Sequence, residues 1–173
     1  MRSTEQALSD ATSPDDARHR LHVLDEQFEH LRPRLVGICR SIAGDAAEDA
    51  VHDAYLQARR SIDQLRDLEA LEGWLTTIAL RQCIAGHRRA RRLRDRLADL
   101  IPRQPSVIPD IGLRQMIENL PIRSRAVLVL HHGYGYSLRE AAEILGLTHT
   151  NARSIAARAR RRLMDQMRDD DRA

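Results

Sequence analysis

Between Thr148 and Arg161 the chain gathers side chains suited to hydrogen bonding and to presenting positive charge. Thr148, His149, Thr150, Asn151, Arg153 and Ser154 are followed by Arg158 and Arg161. Amides and hydroxyls of this kind read base edges, and guanidinium groups take guanine edges or phosphates through two parallel hydrogen bonds. Ala152 and Ile155 recur at helical spacing as an inward stripe, so the polar set points outward from the start of a helix. Just upstream, Ser137 and Glu140 have the spacing of a capping box, and Ala141, Ala142, Leu145 and Leu147 supply an inner face. Gly146 falls where a left-handed residue closes a helix, and Thr148 caps the next one. Residues 137–162 therefore predict two short helices meeting at a tight turn. An ordinary αα-hairpin shares that outline. The small alanines at the crossing, the glycine at the turn and the outward polar residues favour a DNA-binding helix-turn-helix, whose second helix enters the major groove.

Two further segments sort charge by sign. Between Asp45 and Asp53 there are four acids and no bases, whereas between Arg81 and Arg96 there are seven arginines and one acid. A single basic run is most often a solvated face, but two such runs, the second at Arg158 to Arg162, point to nucleic acid. Neither His131 with His132 nor His19 with His22 has a Cys or carboxylate at ligand spacing, so no metal site is expected. No nucleophile, acid/base pair or glycine-rich phosphate loop stands out. The reading is a chain that is not an enzyme and needs no cofactor.

The elements that must position these residues follow from composition and periodicity. With 173 residues, 3% aromatic content and an abundance of Ala, Leu, Arg and Glu, the chain predicts an all-α fold of two small helical domains. All 28 basic residues are arginine, for a formal net charge of +3. Cys39 and Cys83 occupy apolar helical phases and are expected as buried free thiols. The start of the chain lacks a hydrophobic signal core, and no apolar run is long enough to span a membrane, which predicts a cytoplasmic protein without membrane insertion.

Along the chain, residues 1–20 read as a disordered polar tail. Leu21, Leu24, Phe28, Leu31, Leu35, Ile38 and Ile42 form an amphipathic pattern that Pro33 should kink or divide. Asp45 and Glu48 suggest a capped start for a helix running to about Ser61, with Ala47, Val51, Ala54, Tyr55 and Ala58 inward. A polar stretch from Asp63 to Glu72 precedes a long helix beginning near Gly73, whose far half is basic. Trp74 shares the inward phase of Leu75 and Ile78. The prolines at 102, 105 and 109 make residues 98–112 a linker. The helical pattern resumes at 113–168, and 169–173 form an acidic tail.

Taken in order, these pieces resemble the extracytoplasmic-function group of bacterial sigma factors, the small promoter-recognition subunits of RNA polymerase. The resemblance rests on GDAAEDAVHDAYLQA at 44–58, GWLTTIA at 73–79 and ENLPIRSRAVLVLHHGYGYSLREAAEILGLT at 118–148, with the proline-rich linker between them. It implies that residues 21–97 are a region 2 domain for polymerase binding and minus-ten melting. It also implies that 113–168 are a region 4 domain for minus-thirty-five recognition. Glu48, Asp49, His52 and Asp53 would then meet basic helices of core polymerase. Arg59, Arg60, Arg81, Gln82, His87, Arg88, Arg91 and Arg92 would hold the minus-ten strand, and the eight polar residues from Thr148 to Arg161 the minus-thirty-five duplex. An anti-sigma partner is implied as well.

The sequence departs from the family pattern where Arg81 replaces the usual Asn and Gly86 lies inside the basic helix, and again in the small residues Ala152 and Ala156 of the recognition helix. Two rival readings are a polymerase-independent helix-turn-helix regulator and a sigma-like decoy that binds an anti-sigma protein without touching DNA. The first leaves the acidic helix without a purpose. The second leaves the arginines of both domains without one.

Overall fold

The computed structural model of the chain describes residues 14–97 and 112–170. All of the regular elements among them are helical. The first unit comprises α1 (Pro14–Ala43), α2 (Ala47–Ser61) and α3 (Leu71–Leu97), and the second comprises α4 (Leu113–Glu118), α5 (Ile122–Leu128), α6 (Leu138–Leu145) and α7 (His149–Asp170). Most of the linker expected at 98–112, and residues 1–13 and 171–173 of the two tails, lie outside the described residues.

Four local expectations change. α1 reaches back to Pro14, so the segment read as the end of a tail is helical, and Arg20 within it donates to the carbonyl oxygen of Leu65 at 2.5 Å. α1 also continues through Pro33 as one helix. An interior proline costs a helix about 3 kcal/mol, but Leu35 and Ile38 just beyond it are buried in the core, and their packing holds the helix together. The expected cap at Asp45 does not form. A single 3₁₀ turn, Gly44–Ala46, leads into α2, no side chain caps it, and Glu48 pairs with Arg40 of α1 instead. At the other end, α7 runs on to Asp170, into the segment read as an acidic tail.

The core of the first unit is a three-helix packing. Leu24, Phe28, Leu35, Ile38 and Ile42 of α1 meet Val51, Ala54 and Ala58 of α2 and Leu71, Leu75, Ile78 and Leu80 of α3. Alanines on the inner face of α2 leave room for its neighbours' larger side chains, and Phe28 stacks on Tyr55 with ring centroids 4.4 Å apart. Trp74 is half-buried against this core. Cys39 and Cys83 are buried free thiols, each donating to a backbone carbonyl across the α1–α3 contact. The neighbouring Cys83 and then burial push the Cys39 thiol far above its usual range, so it is an inert packing group.

This core does not stop at the domain boundary. Ala126, Leu130, Ala141 and Ile144 of the second unit belong to the same buried cluster, while Leu120, Leu128 and Ala159 form a small separate one with Leu163 beside it.

Candidate nucleic-acid and polymerase interface

The turn between α6 and α7 is fixed by backbone chemistry. Ser137 accepts from the Glu140 N–H while the Glu140 carboxylate accepts from the Ser137 N–H, which closes the capping box. The Ser137 side chain and then its backbone N–H hold the Glu140 carboxyl below the usual glutamate range. At the other end Gly146 has φ 63°, Leu147 N–H donates to Ala142 O at 2.8 Å and Gly146 N–H to Glu143 O at 3.2 Å. That pair of bonds is a Schellman closure, and its left-handed residue favours glycine. Thr148 then caps α7 by accepting from Asn151 N–H at 3.2 Å. Ala141, Ala142 and Ala152 are buried at the crossing. Ile144 is buried, while Leu145 and Leu147, both expected on the inner face, are only half-buried.

This frame leaves Thr148, His149, Thr150, Asn151, Arg153, Ser154, Arg158 and Arg161 all exposed. Asn151, Ser154, Arg158 and Arg161 recur at three- and four-residue steps on one face, away from buried Ala152 and Ala159. Arg158 Nε bonds to Ser154 O at 3.3 Å, which lays its guanidinium along the helix surface.

Before α6, the end of α5 widens into a π-helical turn, Val129–Gly133, and His131 Nδ1 lies 2.7 Å from Tyr136 O. That ring nitrogen is engaged in shaping the turn.

On the first unit, Glu48, Asp49, His52 and Asp53 all project from the exposed face of α2. Glu48 is shared with Arg40 at 2.7 Å, whereas among the described residues Asp49, His52 and Asp53 meet no hydrogen-bond or ion-pair partner. They form a compact negative surface.

The basic candidates divide. Arg81, Arg88 and Arg92 lie seven and four residues apart on one exposed face of α3, with Arg91 beside them in a loose 3.8 Å pair with Asp95. Arg60 is also exposed. Gln82 is half-buried and donates to Gln57 at 2.6 Å, and His87 is half-buried. Arg59 is exposed but already engaged within the fold. Its guanidinium donates to Tyr55 Oη at 2.9 Å and to both Asp25 carboxylate oxygens at 3.1 Å, lying over the Tyr55 ring, so it ties α2 to α1. The Tyr55 hydroxyl, then Asp25, raise its pKa above the ordinary value. Sequence reasoning passed over exposed Arg89 and Arg96 on α3, whose signal was membership of the same arginine run.

Comparison with known proteins bears on what these surfaces serve. Residues 27–93 match the Sigma-70 region 2 family and residues 111–163 match Sigma-70 region 4. The ECF RNA polymerase sigma factor SigM of Mycobacterium tuberculosis is 31% identical over 148 residues, covering 82% of this chain and 76% of its own. This chain belongs to the ECF sigma factors. As an ECF sigma factor it serves core RNA polymerase in promoter-specific initiation of transcription. SigD of Mycobacterium bovis is 28% identical over 166 residues, covering 84% of this chain and 77% of its own. Among solved structures, CnrH in complex with the cytosolic domain of CnrY aligns at TM-score 0.61 and 25% identity, over 89% of this chain and 96% of that one. Sigma factor RpoE in complex with the anti-sigma factor NepR from Bartonella quintana aligns at TM-score 0.64 and 24% identity, over 83% and 96%. These structural likenesses agree with an all-α, two-domain sigma fold. Among the described residues of this sigma factor, no helix is long and apolar enough to cross a membrane.

Proposed function

We propose a division of labour within this sigma factor in which α2 meets core polymerase, α3 holds the minus-ten strand and α7 reads the minus-thirty-five duplex. The region 2 unit spans 21–97 and the region 4 unit 113–168, with 98–112 as the tether.

Glu48, Asp49, His52 and Asp53 present the polymerase-facing surface. Its charge would steer encounter with a basic helix and set register more than it adds affinity.

On α3, the exposed arginine stripe from Arg81 to Arg92 is about 17 Å long at 1.5 Å per residue. That matches about five phosphates of a strand spaced at 3.4 Å. Arg60, Arg91, Gln82 and His87 flank the stripe. A protein without nucleotide-driven chemistry must offset the cost of unpairing DNA by binding the opened strand, and a line of guanidiniums does this for phosphates while pockets nearby take bases. Arg59 is left out of this surface because its charge is already engaged by Asp25.

On α7, Thr148 to Ser154 face base edges, and Arg158 and Arg161 grip the backbone. Catalysis of RNA synthesis stays with the polymerase, the chain works in the cytoplasm, and an anti-sigma protein holds it silent, as the two complexes of its structural relatives suggest.

The observation that carries this reading is the separation of surfaces. Among the described residues, one three-helix unit bears both an exposed acidic face and an exposed arginine face, and a capped helix-turn-helix with an exposed polar face follows it. Run-off transcription with purified core enzyme on genomic fragments tests it. Initiation at specific sites supports the reading, and operator binding without core polymerase, with no transcript, would favour the regulator alternative.

A further inference from the structure

The loop between α2 and α3 is held from a distance. It consists of two 3₁₀ turns, Ile62–Gln64 and Leu68–Ala70, joined through Leu65, whose backbone is extended at φ −81° and ψ 109°. Ile62, Leu65 and Leu71 are buried and anchor it to the three-helix core, and Asp67 caps the second turn by accepting from Glu69 N–H at 2.9 Å. Leu65 N–H is used within the loop, donating to Ile62 O at 3.0 Å, and its carbonyl is met from outside it. Arg20 supplies the donor. From the second turn of α1, 45 residues back, its guanidinium donates to Leu65 O at 2.5 Å while its Nε donates to Asp16 at 3.2 Å. The side chain is 20% exposed, and a carboxylate on one edge with a carbonyl on the other leaves it one orientation.

Those anchors leave Asp63, Gln64, Arg66 and Asp67 exposed on the loop, on the line of the α3 stripe. Gln82 Nε2 donates to Gln57 Oε1 at 2.6 Å, which sets the last turns of α2 beside the Arg81 end of the stripe, with exposed Arg60 and then the loop following directly. At 1.5 Å per residue, Arg81 lies about 15 Å along α3 from Leu71, where the loop ends, or about four nucleotides of a single strand. A strand lying on the arginines therefore runs on past the loop. An amide such as Gln64 takes an adenine edge, and a guanidinium such as Arg66 a guanine edge, through paired hydrogen bonds.

We infer that Arg20 is a positioning residue for base choice in the opened minus-ten strand. It touches no DNA itself, but through the Leu65 carbonyl it fixes the 62–70 loop in the shape that presents Gln64 and Arg66 to the bases. The inference rests on the assignment of α3 to the minus-ten strand. Hydrogen bonds weaken steeply once misaligned, so a loop released at its middle loses selectivity while its buried anchors keep it folded. The first turns of α1, read from sequence as tail, carry both Asp16 and Arg20, which gives that extension a purpose.

The test uses the full chain assembled with core polymerase and a single-stranded non-template oligonucleotide randomised across the minus-ten element, bound sequences being read at two salt concentrations. Arg20→Ala should flatten base preference at one or two adjacent positions by about tenfold, with core affinity and the salt slope unchanged because no polymerase or phosphate contact is lost. Gln64→Ala should flatten one of the same positions, and Arg20→Lys, which keeps a donor for Leu65 O, should retain most of the wild-type preference. Unchanged preferences in Arg20→Ala overturn the inference. So does a loss shared by all sequences with a shallower salt slope, which would make Arg20 a phosphate contact.

Should Arg20→Ala lose helix content, Asp16→Ala decides instead. It leaves the guanidinium in place without its aim and should flatten the same positions by about threefold, and unchanged preferences there overturn the inference. A wild-type chain with no base preference, together with an unchanged salt slope in Arg88→Ala, would withdraw α3 from the minus-ten strand. Hydrogen exchange of the free full chain then judges the loop by itself. Arg20→Ala should speed exchange of the Leu65 and Ala70 amides while those of α2 and α3 hold, and equal exchange overturns the grip on the loop.

Discussion

The Arg125 guanidinium spans the domain boundary to the Ile42 carbonyl at the C-terminal turn of α1, where carbonyl groups lack intrahelical partners and the helix dipole is negative. Burial pushes its pKa below the ordinary arginine value and Glu118 offsets part of that, yet a guanidinium stays charged throughout the accessible pH range. Arg125→Met should therefore lower stability by about 2–4 kcal/mol, because it leaves three carbonyls short of a donor while removing a costly buried charge. Arg125→Lys should fall between the two, since an ammonium cannot fork to both units. Denaturant unfolding of the full chain measures both, and a Met variant as stable as wild type would mean that the carbonyls are served by water.

Such an arginine could not have been picked out from the sequence. Arg125 stands among exposed-looking neighbours in IRSRAVL, and its burial depends on a helix end 83 residues earlier in the chain. The helix-turn-helix was legible because its determinants are local: Ser137 with Glu140, the left-handed Gly146 and the Thr148 cap act within four residues, and each is formed as the spacing predicts. Local chemistry misled where tertiary packing overrode it. Asp45 has the residue type of a cap, but a 3₁₀ turn occupies its place and Glu48 is drawn to Arg40. Pro33 is a helix breaker by type, and buried Leu35 and Ile38 carry the helix past it. Arg59 resembles its neighbour Arg60 in sequence; Tyr55 lies one helical turn before it, but only the fold brings Asp25 to it.

The capping box gives the second unit an acid-sensitive part. The Glu140 carboxyl is held below its ordinary value of 4.5, so its stabilising contribution is present above that pH and is lost as pH falls through the lower folded-state value. Glu140→Gln should flatten this acid-side loss without moving the neutral plateau far. Ser137→Ala removes the cap itself and should cost about 1 kcal/mol at neutral pH. Thermal unfolding followed from pH 7 down to pH 3 separates the two, and an unaltered acid limb in Glu140→Gln would rule the carboxyl out as its source.

Core association should depend on the unpaired acids of α2 in a graded way. Asp53→Arg places a like charge against a basic partner and should weaken binding on the order of 10- to 100-fold. Glu48→Gln should do less, because Arg40 already engages that carboxylate. Titration of labelled chain with core polymerase at two salt concentrations checks the ranking, and equal core affinity in the Asp53 variant would remove α2 from the interface.

On α7, Asn151→Ala and Arg158→Ala should fail differently in holoenzyme binding to promoter duplexes. Loss of an amide that reads a base edge costs about 1–3 kcal/mol and relaxes preference at one position, whereas loss of a phosphate contact weakens all sequences alike. Arg153→Ala should weaken promoter recognition as well, since its exposed guanidinium sits beside the reading face. Competition with single-base variants of the minus-thirty-five element separates the effects, and a uniform loss in Asn151→Ala would remove that amide from base readout.

The α3 stripe makes a claim that salt can read. Each guanidinium that neutralises a phosphate of a single strand should contribute about 0.7 to the slope of log affinity against log salt. Arg88→Ala and Arg92→Ala in holoenzyme should each reduce that slope for an opened minus-ten strand by about this amount, because both side chains are exposed and unpaired among the described residues. Arg59→Ala should leave the slope unchanged and instead lower the thermal stability of the first unit, since its charge is engaged by Asp25 and its plane covers Tyr55. A slope change in Arg59→Ala equal to that in Arg88→Ala would return Arg59 to the DNA surface and show that the Asp25 pair yields to phosphate.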